Sequence, residues 1–149
     1  RYRAVVDGIR QRNAHAAIGS DVIVGFPGEC DSDFDRLAGY LAASPLTHLH
    51  VFPYSDRPGT AAARLPGKVP GSVIRERARF LREISVTLSR EFRERQVGRV
   101  VRALTLDDGT TAVTGNYLKV SIPPGRVRNE WVDVRIEQVD RGLVIGTPV

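Results

Sequence analysis

The chain has 149 residues, 42% hydrophobic and 26% charged, with fourteen Gly, nine Pro and no Met; this balance supports a buried core and excludes disorder as the main state. No apolar run approaches the roughly 18–20 residues that a membrane-spanning helix needs, so no membrane partner is expected. The net charge of +5 sits mostly after residue 70, with fourteen basic and ten acidic side chains there against eight and seven before. That bias suits a polyanionic partner without identifying one.

The opening Arg1-Tyr2-Arg3-Ala4-Val5-Val6-Asp7 lacks the apolar stretch of a signal peptide and starts without Met, which predicts a piece of a longer protein. Arg1 to about Asn13 reads as a helix with Val5 and Ile9 on one face. Ala16 to Gly25 is a nearly continuous apolar run, expected to be a parallel strand covered on both faces. Phe26-Pro27-Gly28-Glu29 breaks it, and a helix begins near Asp31, where Asp31, Ser32 and Asp33 complement its N-terminal dipole. Phe34, Leu37, Ala38 and Leu41 form the inward stripe of that helix, which Pro45 stops. His48 to Phe52 is a second strand. Strand, helix, strand at this spacing is a βαβ unit.

Residues 53–71 are rich in Pro and Gly, long for an idle loop. A helix follows from about Ser72 to Arg95, with Ile74, Ala78, Leu81, Ile84, Leu88 and Phe92 facing inward. Beyond Gly98 five short strand-like runs appear: Val100–Leu106, Thr110–Thr114, Tyr117–Ile122, Trp131–Val139 and Leu143–Ile145. Asp107-Asp108-Gly109, Gly115-Asn116, Pro123-Pro124-Gly125 and Arg141-Gly142 separate them as turns. Five strands in about fifty residues predict a small barrel of OB-like size, with Trp131 in its core. The expected architecture is therefore α/β followed by all-β.

The single cysteine, Cys30, forbids an internal disulfide and fits a reducing, cytoplasmic setting. It also excludes a Cys-ligated zinc or iron–sulfur site built from this chain alone. Cys30 itself reads as an incidental small residue near a helix start. The stretch Ser20-Asp21-Val22-Ile23-Val24-Gly25-Phe26-Pro27-Gly28-Glu29 is a strand ending in a turn. In parallel α/β folds ligands bind at such ends, although a plain tight turn has the same signature. His48-Leu49-His50-Val51-Phe52-Pro53-Tyr54-Ser55-Asp56-Arg57-Pro58-Gly59-Thr60 places a second polar loop after a strand. His48 and His50 share one strand face, as rim residues or as metal ligands, and no third ligand is evident nearby. Arg57, held extended before Pro58, is either solvated or in reach of a phosphate. On the long helix Arg75, Arg79 and Arg82 share a face, interleaved with Glu76, Glu83, Glu91 and Glu94.

Asp21 to Glu29, followed by Leu49-His50-Val51-Phe52-Pro53-Tyr54-Ser55 and Arg57-Pro58-Gly59-Thr60, resembles the radical S-adenosylmethionine tRNA methylthiotransferases. The His-Val-Phe-Pro-Tyr-Ser wording is closest to their threonylcarbamoyladenosine (MtaB type) branch. Gly115-Asn116-Tyr117-Leu118-Lys119-Val120 looks like the TRAM domain that follows in that family, so the resemblance covers nearly the whole chain. It implies residues 1–95 as the C-terminal part of a radical S-adenosylmethionine barrel with its closing long helix, and 96–149 as a five-stranded TRAM barrel that binds RNA.

The implied activity is addition of a methylthio group at C2 of N6-threonylcarbamoyladenosine beside the tRNA anticodon. The implied cofactors are S-adenosylmethionine and two 4Fe–4S clusters. The family's Cys-x-x-x-Cys-x-x-Cys motif is absent from this chain, so cluster ligands and catalytic residues are not assigned here, and the chain alone is expected to be inactive. The resemblance assigns Val24, Gly25, Phe26, Phe52, Pro53 and Tyr54 to the S-adenosylmethionine pocket. RNA contacts are expected from Arg57 and, in the barrel, from Asn116, Tyr117, Lys119, Arg126 and Arg128, where basic loops and aromatic platforms suit an anticodon stem–loop. An incomplete barrel leaves a strand edge unpaired, which predicts self-association. The alternative reading is a stand-alone RNA-binding module without catalytic activity.

Overall fold

The computed structural model describes residues 1–106 and 109–149; the Asp107-Asp108-Gly109 turn lies partly outside the described residues. The chain divides into two units, residues 1–7 with 18–88, and residues 8–17 with 89–149.

In the first unit, helix α1 (Tyr2–Arg12) begins, followed by β1 (Gly19–Val24), α2 (Asp31–Ala42), β2 (His48–Pro53), a short 3-10 turn (Ala62–Arg64) and most of α3 (Gly71–Glu94). β1 and β2 pair in parallel, in register from Gly19 with His48 to Val24 with Pro53, as the βαβ spacing requires. Val22, Val24 and Leu49 are buried on one face, and Ala38 and Leu41 of α2 and Ala78, Leu81 and Leu88 of α3 are buried too. The other face is open: Ile23 is 56% and Phe52 50% exposed. The expectation of a strand covered on both faces is thus met on one face only, because among the described residues nothing packs over Ile23 and Phe52. Ser85 of α3 meets the edge of β2, its Oγ accepting from the Leu49 N–H at 2.8 Å and donating to the Leu49 carbonyl at 3.2 Å.

Cys30 is the N-cap of α2, with φ −94° and ψ 172°. Its backbone N–H and thiol both donate to the Asp33 carboxylate, at 3.2 and 3.0 Å. The residue is therefore part of the helix start, where the Asp33 carboxylate at the third helical position reaches back to the Cys30 N–H as in a capping box.

In the second unit the end of α3 leads into β3 (Val100–Thr105), β4 (Thr111–Thr114), β5 (Lys119–Ser121), β6 (Trp131–Asp140) and β7 (Leu143–Pro148). They close a barrel in the order β3-β4-β5-β7-β6. β5 and β7 are parallel and the other neighbours antiparallel. Ala103, Ala112, Val120, Val132, Val134, Ile136 and Val144 fill the interior, with Phe92 of α3 packed among them. Gly146 is required there: a Cβ would lie 2.6 Å from Val134 Cγ1 and 2.7 Å from the Arg135 carbonyl oxygen.

Trp131 corrects the expectation of a core residue. It is 59% exposed, and the Arg102 guanidinium lies 5.2 Å from its ring centre. Side chains alternate along a strand, and Val132, Val134 and Ile136 take the inward phase, so position 131 points outward.

Candidate functional site

The carboxyl ends of β1 and β2 open onto a cleft of about 480 Å³ lined by Asp21, Ile23, Phe52, Pro53, Tyr54, Ser55, Arg57, Thr60 and Ala62. The floor is apolar because the exposed faces of β1 and β2 present Ile23 beside its register partner Phe52. Val24 is fully buried, pointing to the opposite face, so only its backbone faces the strand end. That carbonyl accepts the Tyr54 N–H at 2.8 Å, extending the ladder by one rung. Phe26 packs edge-on to Tyr54 with ring centres 5.2 Å apart.

The polar rim is organised around Tyr54 and Asp56. Tyr54 donates its hydroxyl to Asp56 Oδ1 at 2.8 Å, and Lys68 Nζ donates to the same oxygen at 2.5 Å. Those donors, Lys68 first, hold the Asp56 carboxyl below its ordinary range. Desolvation and then the hydrogen bond to Asp56 push the Tyr54 phenol up, so this tyrosine stays protonated at neutral pH.

Beneath the turn after β1 sits a buried ionic anchor. Gly25, at φ +80°, lies so close to α3 that a Cβ there would be 2.4 Å from Ile74 Cγ1. Its N–H donates to Glu29 Oε2 at 3.0 Å, and Glu29 Oε1 accepts from Arg77 at 2.5 Å. Arg77 also reaches Asp31 Oδ1 at 2.5 Å and stacks over Phe34, 5.2 Å from the ring centre. Burial opposes the charge on Arg77, but Asp31 and Glu29 outweigh it and its pKa is raised. Gly28 is tied by its N–H to the Gly67 carbonyl at 2.8 Å. The turn 25–29 is thus fixed from both sides, with Phe26 packed against Tyr54.

His48 and His50 lie on the open face with ring centres 5.2 Å apart, and His48 Nδ1 is 3.0 Å from Thr47 Oγ1. Desolvation and then His50 lower the His48 pKa. Among the described residues no three His, Cys, Asp or Glu side chains converge to hold a metal ion.

In the barrel unit, the β4–β5 turn carries Asn116 and Tyr117. Tyr117 is 86% exposed at φ 60°, whereas the Asn116 amide turns inward and donates to the His15 carbonyl at 2.9 Å. Lys119 is exposed at the start of β5. In the 123–130 loop, Arg126 pairs with Glu130 at 2.8 Å while Arg128 is exposed. Thr105 Oγ1 donates to the Val127 carbonyl at 2.6 Å and ties the loop to β3.

No family model matches the chain. The threonylcarbamoyladenosine tRNA methylthiotransferase MtaB of Aquifex aeolicus is 39% identical over 119 residues, 80% of this chain and 29% of that protein. The tRNA-2-methylthio-N(6)-dimethylallyladenosine synthase of Mycobacterium sp. (strain MCS) is 36% identical over 159 residues, 100% of this chain and 30% of that protein. The ribosomal protein uS12 methylthiotransferase RimO of Syntrophobacter fumaroxidans is 42% identical over 100 residues, 67% of this chain and 22% of that protein. This chain belongs to the methylthiotransferase family. It spans between about a fifth and a third of the length of these relatives.

Of the cleft residues expected from sequence, Phe52, Pro53 and Tyr54 line the cleft. Val24, Gly25 and Phe26 are not among the lining residues; Phe26 packs against Tyr54, and the Val24 carbonyl accepts the Tyr54 N–H. Arg57 lies on the cleft wall in the first unit, while Asn116, Tyr117, Lys119, Arg126 and Arg128 belong to the second. Sequence reading missed the anchor formed by Glu29 and Arg77. Its signal was present: Arg77 stands three residues after Ile74 and one before Ala78, inside an otherwise apolar stripe.

Ile23, Phe52 and Tyr54 give the cleft an apolar and aromatic surface. Iron–sulfur clusters find no ligand set here, since Cys30 is the lone cysteine and its thiol is engaged with Asp33.

Proposed function

We propose that this chain is the C-terminal part of a tRNA methylthiotransferase that adds a methylthio group to C2 of N6-threonylcarbamoyladenosine next to the anticodon. In this reading residues 1–95 complete a radical S-adenosylmethionine barrel and 96–149 form the RNA-binding TRAM barrel. The observation that carries it is the open cleft at the carboxyl ends of two parallel strands, in a chain whose relatives bear methylthiotransferase names.

Val24, Gly25, Phe26, Phe52, Pro53 and Tyr54 would border the S-adenosylmethionine nucleoside, the aromatic side chains and Ile23 by apolar contact. Bound S-adenosylmethionine would supply the radical chemistry that an unactivated C–H bond requires. This chain's own part is to exclude water with Ile23, Phe26 and Phe52 and to hold the turn 25–29 in place through Glu29 and Arg77. Cluster ligands would come from elsewhere in the protein, so the 149 residues alone are inactive. The open outer edge of β1 supports self-association of the isolated chain.

RNA would meet Tyr117, Lys119, Arg126 and Arg128 on the barrel, with Asn116 setting the turn that displays Tyr117, and Arg57 at the cleft wall would meet the nucleotide entering it. The test is mass spectrometry of tRNA nucleosides from cells lacking and regaining the protein that carries this chain. The 2-methylthio derivative of threonylcarbamoyladenosine should disappear and return. Loss of the 2-methylthio derivative of dimethylallyladenosine instead would overturn the substrate while leaving the reaction.

A further inference from the structure

Side chains alternate between the two faces of a strand, so the open face of β1 and β2 holds positions 19, 21 and 23 beside 48, 50 and 52. In the parallel register they form facing rows: Gly19 with His48, Asp21 with His50, and Ile23 with Phe52. The last row is the apolar floor of the cleft. The row before it is polar, and Asp21 lines the same cleft. One continuous surface therefore passes from apolar at Ile23 and Phe52 to hydrogen-bonding at Asp21 and His50.

The first row holds the second in place. Gly19 leaves room for the His48 ring, since a Cβ there would lie 2.2 Å from His48 Nε2. On its other side His48 Nδ1 lies 3.0 Å from Thr47 Oγ1, and that hydroxyl is itself tied to the Ile18 carbonyl at 3.2 Å. His50 stands edge-on to the seated ring, with centres 5.2 Å apart and planes at 84°. Desolvation and then His50 lower the His48 pKa, so His48 is uncharged at neutral pH. An imidazole keeps at least one N–H in either charge state, whereas an ionised carboxylate only accepts. His50 and Asp21 therefore set a donor and an acceptor side by side, next to an apolar floor.

We propose that His50 and Asp21 select the modified adenosine by its carbamoyl group, His50 donating to the carbonyl oxygen and Asp21 accepting from the adjacent N–H. His48 is a positioning residue for His50. This role rests on the reading of the chain as acting on threonylcarbamoyladenosine and names the side chains that choose that base. A dimethylallyl group is hydrocarbon only, so it would bury both polar groups without a partner, which a site built for hydrogen bonds rejects. The amino and carboxylate groups of S-adenosylmethionine offer related hydrogen-bonding chemistry. The carbamoyl group is favoured because it pairs with Asp21 without charge, whereas the carboxylate of S-adenosylmethionine would meet Asp21 as like against like.

The test is fluorescence anisotropy of the full protein that carries this chain with labelled anticodon stem–loops. These differ only at the target base, which is threonylcarbamoyladenosine, dimethylallyladenosine or unmodified adenosine. The unaltered protein should bind the first roughly ten- to a hundredfold more tightly than the others. His50→Ala and Asp21→Ala should each remove most of that preference while the unmodified stem–loop binds as before, which shows the fold intact. His50→Gln keeps an N–H donor and should restore part of it, and Gly19→Ala should mimic His50→Ala by unseating His48. Calorimetry should find S-adenosylmethionine binding unchanged in both alanine variants. Weaker S-adenosylmethionine binding with the RNA preference intact would assign the pair to the cofactor and overturn the proposal. Equal affinity of the unaltered protein for the threonylcarbamoyl and unmodified stem–loops, or full preference in both alanine variants, would also overturn it and leave the methylthiotransferase reading standing. A preference of the unaltered protein for the dimethylallyl stem–loop would overturn the substrate reading along with it.

Discussion

The guanidinium of Arg77 joins Glu29 and Asp31, each at 2.5 Å, but the two carboxylates differ sharply in burial: the side chain of Glu29 is 12% exposed and that of Asp31 93%. Removing one partner of a buried pair strands the other charge, whereas an exposed partner is replaced by water. Arg77→Ala and Glu29→Ala should each cost about 3–5 kcal/mol of stability, and Asp31→Ala about 1 kcal/mol or less. Urea denaturation of the three variants checks the order. Equal losses for Glu29→Ala and Asp31→Ala would contradict it.

Asp33 is held down to a pKa of about 2, first by the Cys30 thiol, then by the Cys30 N–H and Arg36. A depressed carboxylate stabilises the fold above its unfolded value of about 3.9 and loses that contribution as pH falls through the folded value. Cys30→Ala removes the largest donor, so the Asp33 pKa should rise toward the ordinary carboxylate range in an NMR titration. Asp33→Asn should flatten the acid side of the stability profile between about pH 4 and pH 2.

Trp131 is the one tryptophan, and its exposure makes it a direct optical probe. Its emission should be that of a solvated indole and be quenched by iodide. Trp131→Ala should cost about 1 kcal/mol, the scale of an exposed cation–π contact. Ile136→Ala, in the barrel interior at 1% exposure, should cost about 2–5 kcal/mol. A blue-shifted, unquenched emission would place the indole in the core after all.

The triple substitution Lys119→Ala, Arg126→Ala and Arg128→Ala tests the barrel-loop surface. It should weaken tRNA binding and lower the salt slope by about one unit per lost phosphate contact. Arg126 already pairs with Glu130, so its share should be the smallest of the three single substitutions. Retained affinity and slope in the triple variant would remove this face from the RNA interface.

Helices and strands were legible in the sequence because periodicity and turn residues are local. The stripe Ala78, Leu81, Leu88 and Phe92 is buried as the 3.6-residue repeat requires. The five barrel strands begin within two residues of their expected starts, since Gly and Pro punctuate them. The two cleft segments were also legible, because both follow apolar strands with restricted turns. Tertiary structure decided how individual side chains are used. Arg77 is buried because the turn 25–29 folds under α3 and brings Glu29 to it. Trp131 points outward because three aliphatic residues of one strand phase outweigh one indole of the other. Asn116 turns inward because the His15 carbonyl, 101 residues away in sequence, lies within hydrogen-bond reach. Each outcome depends on a partner distant along the chain or on competition for a single interior, and only Arg77, a charge inside an apolar stripe, leaves a trace in the local sequence.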